Sequence, residues 1–551
     1  MGIESVAVYS DADRDARFVL EADEAYRIGP APAAASYLNQ KALIETALRA
    51  GVQGIHPGYG FLSENAGFAD AVTDAGLSFI GPPAAAMRVM GDKIAARRAA
   101  SEAGVPVVPG TPDAIESMDQ AKRFAAEYGL PLLVKAGGGG GGRGIRVVED
   151  EDELEASLET AAREAGSYFS NSAVYLERFY QKARHIEVQV AGDSSGTVVA
   201  WGERDCSTQR RRQKLVEETP APNLPNSDRM ELLDAATRLA AAASYAGVGT
   251  VEFLYTGPGA FYFLEMNTRI QVEHTITEEV TGLDLVRESV QLALGLPATV
   301  GAESRGHAIE ARINAEDPAE GFRPGPGRIE VYREPGGEGV RVDSGVYQGF
   351  TIPGDYDSLM AKVVVRAPTR ERATEKMLQA LRGYRVEGVP TTIQLIANII
   401  SSQTFRAGLI TTDWLDEQMA DMVGMSQAEP TNGNPETSSR SVEMEVNGKR
   451  FEVRLFNSES RAAAQTRPSS DAGRRRGTGR GNQVLSPMRG TVVSIAKETG
   501  DEVNEGEKLV VVEAMKMENE VKAPRAGRVL RLLVKTGETV ESKQPLIELE
   551  A

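Results

Sequence analysis

VEFLYTGPGAFYFLEMNTRIQVEHTITE, residues 251–278, governs how the rest of the chain is read. Two apolar runs flank a Gly-Pro turn, the pattern of a β-hairpin. The second run continues into Glu265, Asn267, Arg269, Gln271 and Glu273, one polar group at every second position. An extended chain puts all of these on one face and Met266, Thr268, Ile270 and Val272 on the other. A solvated edge strand usually mixes its charges. Here the order is carboxylate, carboxamide, guanidinium, carboxamide, carboxylate. Glu265 and Asn267 suit an oxygen-loving cation such as Mg²⁺, and Glu252 on the partner strand could join them. A simple turn would put Glu252 and Glu265 on opposite faces, so this reading requires a bulge or offset between the strands. Arg269 suits a bound anion, and Glu273 is placed to take a proton.

A second chemistry-bearing stretch lies upstream. In LLVKAGGGGGGRGIRVV a strand ends at Lys135, glycines run from Gly137 to Gly142, and a second strand follows Arg143-Gly144. No Gly-Lys-Ser/Thr opens a helix, so this is not a Walker A loop, and it is not the dinucleotide fingerprint. A strand–glycine loop–strand can lay bare N–H groups over phosphates, with Lys135 as a point charge. The loop points to phosphate binding, as a lid, and to no particular reaction. A third stretch, ERDCSTQRRRQKLVEE (203–218), carries Arg210, Arg211, Arg212 and Lys214. It reads equally as a solvated basic face or as an anion site.

The chain of 551 residues is long enough for several domains, and 41% hydrophobic against 25% charged residues allows packed cores. A net charge of −18 argues against nucleic acid as a partner. No apolar run reaches membrane-spanning length and no signal-peptide pattern opens the chain. The single cysteine, Cys206, excludes an internal disulfide framework. Together these predict a soluble cytoplasmic protein with no membrane partner. The 15 lysines against 46 arginines reflect either a high-salt cytoplasm or GC-rich coding.

Strand and helix signals alternate over 1–90, with a strand at 5–10, a helix at 38–51 and a strand at 53–57. Mixed elements continue over 91–300, and an α+β section follows over 301–420. Residues 421–483 read as a linker, rich in Arg, Ser and Gly at its end, that carries a hairpin at 442–456 around Asn447-Gly448. The last section, 484–551, contains an internal repeat at an offset of 37: Pro487, Gly490, Val492, Gly500, Val503, Leu509 and Glu513 recur as Pro524, Gly527, Val529, Gly537, Val540, Leu546 and Glu550. Two copies of one short-strand unit predict a small barrel or sandwich with pseudo-twofold symmetry. Lys516, in EAMKM (513–517), falls in the connection between the copies and is exposed by construction.

HPGYGFLSEN (56–65), KAGGGGGGRG (135–144), RDCSTQRRRQK (204–214) and FLEMNTRIQVEH (263–274) together resemble the biotin carboxylases, which have the ATP-grasp fold. EAMKM within a half-repeat resembles a biotinyl carrier domain. The resemblance implies an α/β and α+β biotin carboxylase: N-terminal domain 1–90, ATP-grasp domain 91–300 with a glycine-rich lid, C-terminal domain 301–420. A small all-β biotinyl domain, 484–551, follows the linker. The layout resembles the α subunit of an acyl-CoA carboxylase of the acetyl- or propionyl-CoA type.

The family's roles carry over onto matching positions. Lys93, Lys135, Gly141, Gly142, His185, Gln209 and Arg212 match nucleotide-binding positions, and Glu177, Arg178, Phe179 and Tyr180 match the stretch that meets adenine. Glu252, Glu265 and Asn267 match ligands of Mg²⁺ or Mn²⁺. Lys214, Arg269 and Val272, the last through its backbone, match the bicarbonate site. Glu273 matches the base that deprotonates bicarbonate, Arg341 the residue that stabilises the biotin enolate, and Lys516 the lysine that carries biotin. The implied reaction forms carboxyphosphate from ATP and bicarbonate, then carboxylates biotin on Lys516. A separate carboxyltransferase (β) subunit takes the carboxyl group, and a biotin protein ligase attaches the biotin. Homo- and hetero-oligomers are expected.

Some positions depart from the family pattern. The strand–glycine turn–helix unit that opens the family is missing before GIESVAVYSDAD, which leads us to expect a true start upstream of Met1. Arg212 stands where His or Asn is usual, Thr275 where Pro is usual, and Tyr180 where Leu is common. Two other readings compete: an ATP-grasp ligase joining a carboxylate to an amine, and a lipoyl rather than biotinyl carrier. The methionines flanking Lys516 favour biotin.

Overall fold

The structure is a computed structural model. It describes residues 1–111, 113–136, 145–169, 173–427, 439–446, 449–456, 483–487, 490–514, 517–540 and 543–550. Gly141, Gly142 and Lys516 lie outside the described residues.

An antiparallel sheet of eight strands organises residues 184–367. In chain order its strands are β1 (Arg184–Gly192), β2 (Val198–Arg210), β3 (Gln213–Thr219), β4 (Gly247–Gly257), β5 (Ala260–Asn267), β6 (His307–Asn314), β7 (Val340–Ser344) and β8 (Leu359–Ala367). In space they run β5-β4-β1-β2-β3-β6-β8-β7. Alternation sorts the central strands. Ile186, Val188 and Val190 of β1 and Val251 and Phe253 of β4 pack with Leu232, Ala236 and Leu239 of the helix Asn226–Ala242. The residues between them, His185, Glu187, Gln189, Thr250 and Glu252, face the other side, yet they too are buried. At the far end, Ile309, Ala311 and Ile313 of β6 and Val363 and Val365 of β8 join a second core with the helices Arg370–Gly383 and Ile393–Ser401.

The hairpin of 251–278 differs from the expectation in one respect and meets it in another. Strand β5 ends at Asn267, and Glu273 is the N-cap of the helix His274–Thr281. The polar alternation is therefore not one extended face, because the chain turns after Asn267. The bulge is present. Glu252 opposes Glu265, Phe253 opposes Phe263, and Leu264 is the extra residue between them. That residue puts Glu252 and Glu265 on the same side of the sheet.

A three-stranded sheet has Leu132–Ala136 between Ile145–Val148 and Val174–Arg178. Its core draws on Leu132, Val134, Leu154 and Leu176. Towards the N-terminus, Val6–Ser10 pairs with Glu24–Gly29 and Gly54–Ile55 with Ser78–Phe79, each a separate parallel pair. The strands Ser439–Val446 and Lys449–Phe456 pair antiparallel, with Val446 opposite Lys449 across the Asn-Gly dipeptide.

Residues 483–550 form two four-stranded antiparallel sheets. The first, in spatial order, is Gln483–Leu485, Pro545–Glu550, Gly527–Leu532 and Glu502–Val503; the second is Met517–Lys522, Lys508–Ala514, Gly490–Ile495 and Thr539–Val540. An offset of 37 residues exchanges the two halves and maps the first sheet onto the second. Both copies bury the same positions: Val492 and Val529, Val503 and Val540, Leu509 and Leu546, Val510 and Ile547, Val512 and Leu549. The turn at Gly506 (φ 82°) recurs at Lys543, which holds a φ of 65° without being glycine.

Candidate active site

Cross-strand register builds the centre of the site. Glu265, Glu252, Glu187 and Arg204 oppose one another in succession across β5, β4, β1 and β2. Three adjacent carboxylates repel unless cations separate them. Arg204, fully buried, donates to Glu187 Oε1 at 2.5 Å and to Gln189, Thr250 and Thr277. Lys214 reaches over from β3 and binds Glu187 at 2.5 Å, Glu252 at 3.1 Å and Glu273 at 2.6 Å. His185 Nε2 lies 3.1 Å from Glu252 Oε2. Burial opposes charge on His185, but Glu252 carries its pKa above the ordinary value.

Glu273 is fully buried at the head of its helix. Its two oxygens face different cations, Lys214 on Oε1 and Arg312 Nη2 on Oε2 at 2.8 Å. Burial alone would raise this carboxyl; Lys214, then Arg312 and Arg204, hold it well below the usual range. Arg269 lies beside this group. It donates to Asn267 Oδ1 at 3.0 Å and to Gln271 Oε1 at 3.2 Å, and pairs with Glu64 at 3.1 Å. Asn267 and Gln271 in turn donate to Glu252 Oε1 at 2.9 and 3.1 Å. The turn after Asn267 thus gathers the polar residues on one site, which an extended strand would have strung out in a line. The Val272 carbonyl accepts from Lys362 at 2.8 Å.

Glu265 has a different environment. It is exposed, and the charge of Glu252, the largest influence on it, raises its pKa. Among the described residues no side chain bonds its carboxylate. Two neighbouring carboxylates beside an amide oxygen form the donor set that an oxygen-seeking divalent cation takes, so Glu252, Glu265 and Asn267 fit one. Donor atoms of His185, Glu187 and Glu252 also lie within 4.8 Å of one another, but Arg204 and Lys214 already take one oxygen each of Glu187.

Of the residues expected around a nucleotide, Lys93 lies within electrostatic reach of Lys135, Glu177, Arg212 and Glu265. Asp92 caps the helix Lys93–Glu102 by accepting from Ala95 N at 2.7 Å, and Lys93 is that helix's first residue. Burial, then the charge of Lys135, lowers the Lys93 pKa. Lys135 pairs with Glu177, which also holds Arg97 at 2.9 Å. Arg178 donates to the Tyr128 carbonyl and lies 5.4 Å over the Tyr180 ring, which stacks on Tyr262 at 5.0 Å. Phe179 donates its N–H to the Pro131 carbonyl. Gln209 is buried opposite Lys214, and Arg212 forms the β2–β3 turn with a φ of 69°. The basic run is therefore split. Arg210 turns inward, 4.1 Å over Phe322, so it is neither a solvated face nor part of an anion site.

Arg341, on β7, stands apart from this group. It is held by both oxygens of Asp343 at 2.7 Å and by Glu278 at 2.7 Å. It lines a cleft of about 910 Å³ with Tyr59, His274, Glu278, Asp343 and Lys362.

The sequence reading did not single out Glu187, Arg204, Arg312, Glu64 or Glu278. A signal existed for two of them. Glu187 in HIEVQV and Arg312 in IEARIN interrupt strands buried on both sides, where an ionisable group is rare unless paired.

Comparison with known proteins fits this geometry. Residues 1–87 match the family "Biotin carboxylase, N-terminal domain", 92–299 "Carbamoyl-phosphate synthase L chain, ATP binding domain", 310–417 "Biotin carboxylase C-terminal domain" and 482–549 "Biotin-requiring enzyme". Biotin carboxylase 1 of Bacillus subtilis is 46% identical over 420 residues, covering 76% of this chain and 93% of that protein. The biotin-dependent acyl-coenzyme A carboxylase alpha3 subunit of Mycobacterium leprae is 40% identical over 533 residues, covering 94% of this chain and 89% of that protein. A pyruvate carboxylase subunit of Methanothermobacter thermautotrophicus is 47% identical, covering 76% of this chain and 85% of that protein. Among solved structures, the biotin carboxylase–β-γ-ATP complex of Campylobacter jejuni superposes with a TM-score of 0.73 at 43% identity, covering 76% of this chain and 94% of that one. The biotin carboxylase domain dimer of Hydrogenobacter thermophilus 2-oxoglutarate carboxylase, in complex with MgADP, ADP and bicarbonate, gives a TM-score of 0.72 at 44% identity, covering 76% of this chain and 93% of that one. With an ATP-grasp carboxylase followed by a biotin-requiring domain, the chain belongs to the biotin carboxylase family.

Proposed function

We propose that this chain is the α subunit of an acyl-CoA carboxylase, and that it carboxylates biotin carried on Lys516 for a separate carboxyltransferase subunit to use on acetyl- or propionyl-CoA. ATP, biotin and Mg²⁺ are the family's cofactors. One observation carries the acyl-CoA reading: the alpha3 subunit of Mycobacterium leprae matches along 94% of the chain, through carboxylase and carrier regions alike. A pyruvate carboxylase partner is the second reading, favoured by the 47% identity to the Methanothermobacter protein over the carboxylase region.

Glu273 takes the proton of bicarbonate, and Lys214 and Arg312 hold it ionised for that task. Lys214, Arg269 and the Val272 backbone hold the anion. Deprotonated bicarbonate attacks the γ-phosphoryl group of ATP, giving carboxyphosphate and ADP. Lys93, Lys135, His185 and Arg212 offset phosphate charge, helped by Gly141 and Gly142, Gln209 offers the nucleotide a hydrogen-bonding carboxamide, and the stretch Glu177–Tyr180 receives the base. Glu252, Glu265 and Asn267 would hold Mg²⁺, which supplies charge neutralisation at the transferring phosphoryl group. Arg341 stabilises negative charge on the tethered substrate from the cleft side. The chain pairs with copies of itself, as the Hydrogenobacter domain does.

The test is to purify the chain together with the carboxyltransferase that binds it. A streptavidin blot should show biotin in the wild type and none in Lys516→Ala. The complex should then fix bicarbonate into acetyl- or propionyl-CoA. Carboxylation of pyruvate alone would overturn the acyl-CoA reading, and an unbiotinylated wild type made with active biotin ligase would overturn the carrier reading.

A further inference from the structure

Behind Glu273 lies a second pair of acids to which no role has been given. Glu217 on β3 and Glu310 on β6 are directly opposed in the ladder between those strands, so both side chains leave the same face. Both are fully buried. Each has one satisfied oxygen. Glu217 Oε1 accepts from Arg312 Nε at 2.6 Å, and Glu310 Oε2 accepts from the Thr275 hydroxyl. The other oxygens, Glu217 Oε2 and Glu310 Oε1, are buried without a hydrogen-bond partner.

The charged groups facing the pair are Arg312 on β6, Lys362 on β8, Lys214 on β3 and Glu273 at the helix head. Each cation is already engaged. Arg312 is shared with Glu273 at 2.8 Å, Lys362 donates to the Val272 carbonyl, and Lys214 serves Glu187, Glu252 and Glu273. Two carboxylates opposed on a ladder repel. When they share a buried site, one keeps its proton. In agreement, burial pushes Glu217 up to about 8 and raises Glu310 as well.

We propose that Glu217 and Glu310 share one proton at neutral pH and that this pair, with its single negative charge, acts through Arg312 to position Glu273 and set its basicity. The shared proton stands on the geometry of the pair. The effect on basicity rests on the reading of Glu273 as the base. The sign follows from Arg312. The charge of the pair draws part of the guanidinium field away from Glu273; without it, Arg312 acts on Glu273 alone and makes it a weaker base.

Infrared difference spectra of the full chain at neutral pH test the shared proton. Wild type minus Glu217→Gln and wild type minus Glu310→Gln should each show loss of the same protonated-carboxyl band. Titrating the wild type upward through about pH 8 should remove that band with no substitution at all. A band absent from the wild type, or one that survives either substitution, overturns the shared proton. The effect on Glu273 is read from kcat/KM for bicarbonate against pH. In Glu217→Gln/Glu310→Gln the acid limb should move to lower pH and the plateau should fall roughly 10-fold. A fall without a shift of the limb means a merely structural pair and overturns the tuning. A Glu273→Gln variant that keeps the wild-type acid limb would remove Glu273 as the base while leaving the infrared result standing.

Discussion

Strands β1 to β4 bury Glu187, Arg204 and Glu252 side by side, whereas the eight strands of residues 483–550 bury Val492, Leu509, Val512 and their repeats. Among the described residues of that second region, Ser486 is the only buried polar one. The two regions are stabilised in different ways. An apolar repeat sums many small, nearly independent contacts. A buried charge cluster is coupled, because each ion is tolerable only while its partners remain. Damage to the apolar repeat should be graded and local. Damage to the charge cluster should spread through the whole set.

The sharpest way to break this contrast is Lys214→Ala. It leaves Glu187, Glu252 and Glu273 without their common cation. The expected loss is about 3–5 kcal/mol in denaturant unfolding, together with loss of bicarbonate-dependent ATP cleavage. A stable, active variant would mean the cluster is not coupled. Next come Leu509→Ala and Leu546→Ala, which remove equivalent buried side chains from the two copies of the repeat. Each should cost about 2–5 kcal/mol, at similar values, with ATP cleavage driven by free biotin unchanged. Unequal costs would mean that the pseudo-twofold is geometric but not energetic.

A third test uses pH. The Glu217 carboxyl is raised, so the folded state binds a proton that the unfolded chain releases above pH 4.5. Its contribution is fully present below pH 4.5 and is lost as pH rises to about 8. Thermal unfolding should show stability falling across that window, with a flatter profile in Glu217→Gln. The apolar region has no such term, so Leu509→Ala should leave the slope alone. The smallest effect is expected at Asp92→Ala, which removes a helix cap and should cost about 1 kcal/mol, with a weaker apparent affinity for ATP as Lys93 loses its fixed origin.

The same contrast explains what could be read from the sequence. The repeat was legible because hydrophobic burial recurs with the strand pattern, and all five core pairs from Val492/Val529 to Val512/Leu549 obey the offset of 37. The need for a bulge was legible too, because face parity is arithmetic. The path after Asn267 was not. An alternating string reads as a strand, and nothing local shows that Glu273 will become a helix N-cap. Glu187 and Arg204 were missed for a related reason: their meaning comes from being opposite each other across strands, and register is a long-range property. Arg210 was read with its neighbours as one basic run, but the β2–β3 turn sends it into the core over Phe322.

The bulge at Leu264 has a consequence for how this segment tolerates change. Most substitutions at that position would alter only a partly buried side chain. Losing the bulge while keeping the residue would do something different in kind. Leu264 would then stand opposite Glu252, and Glu265 would be carried to the helix-packed side of the sheet, beside Val251, while every residue of the segment kept its identity. At this point the chain encodes chemistry by register rather than by composition. A slip of one residue in this ladder would act as a frameshift in space, whereas a deletion of Leu264 would leave Glu265 opposite Glu252.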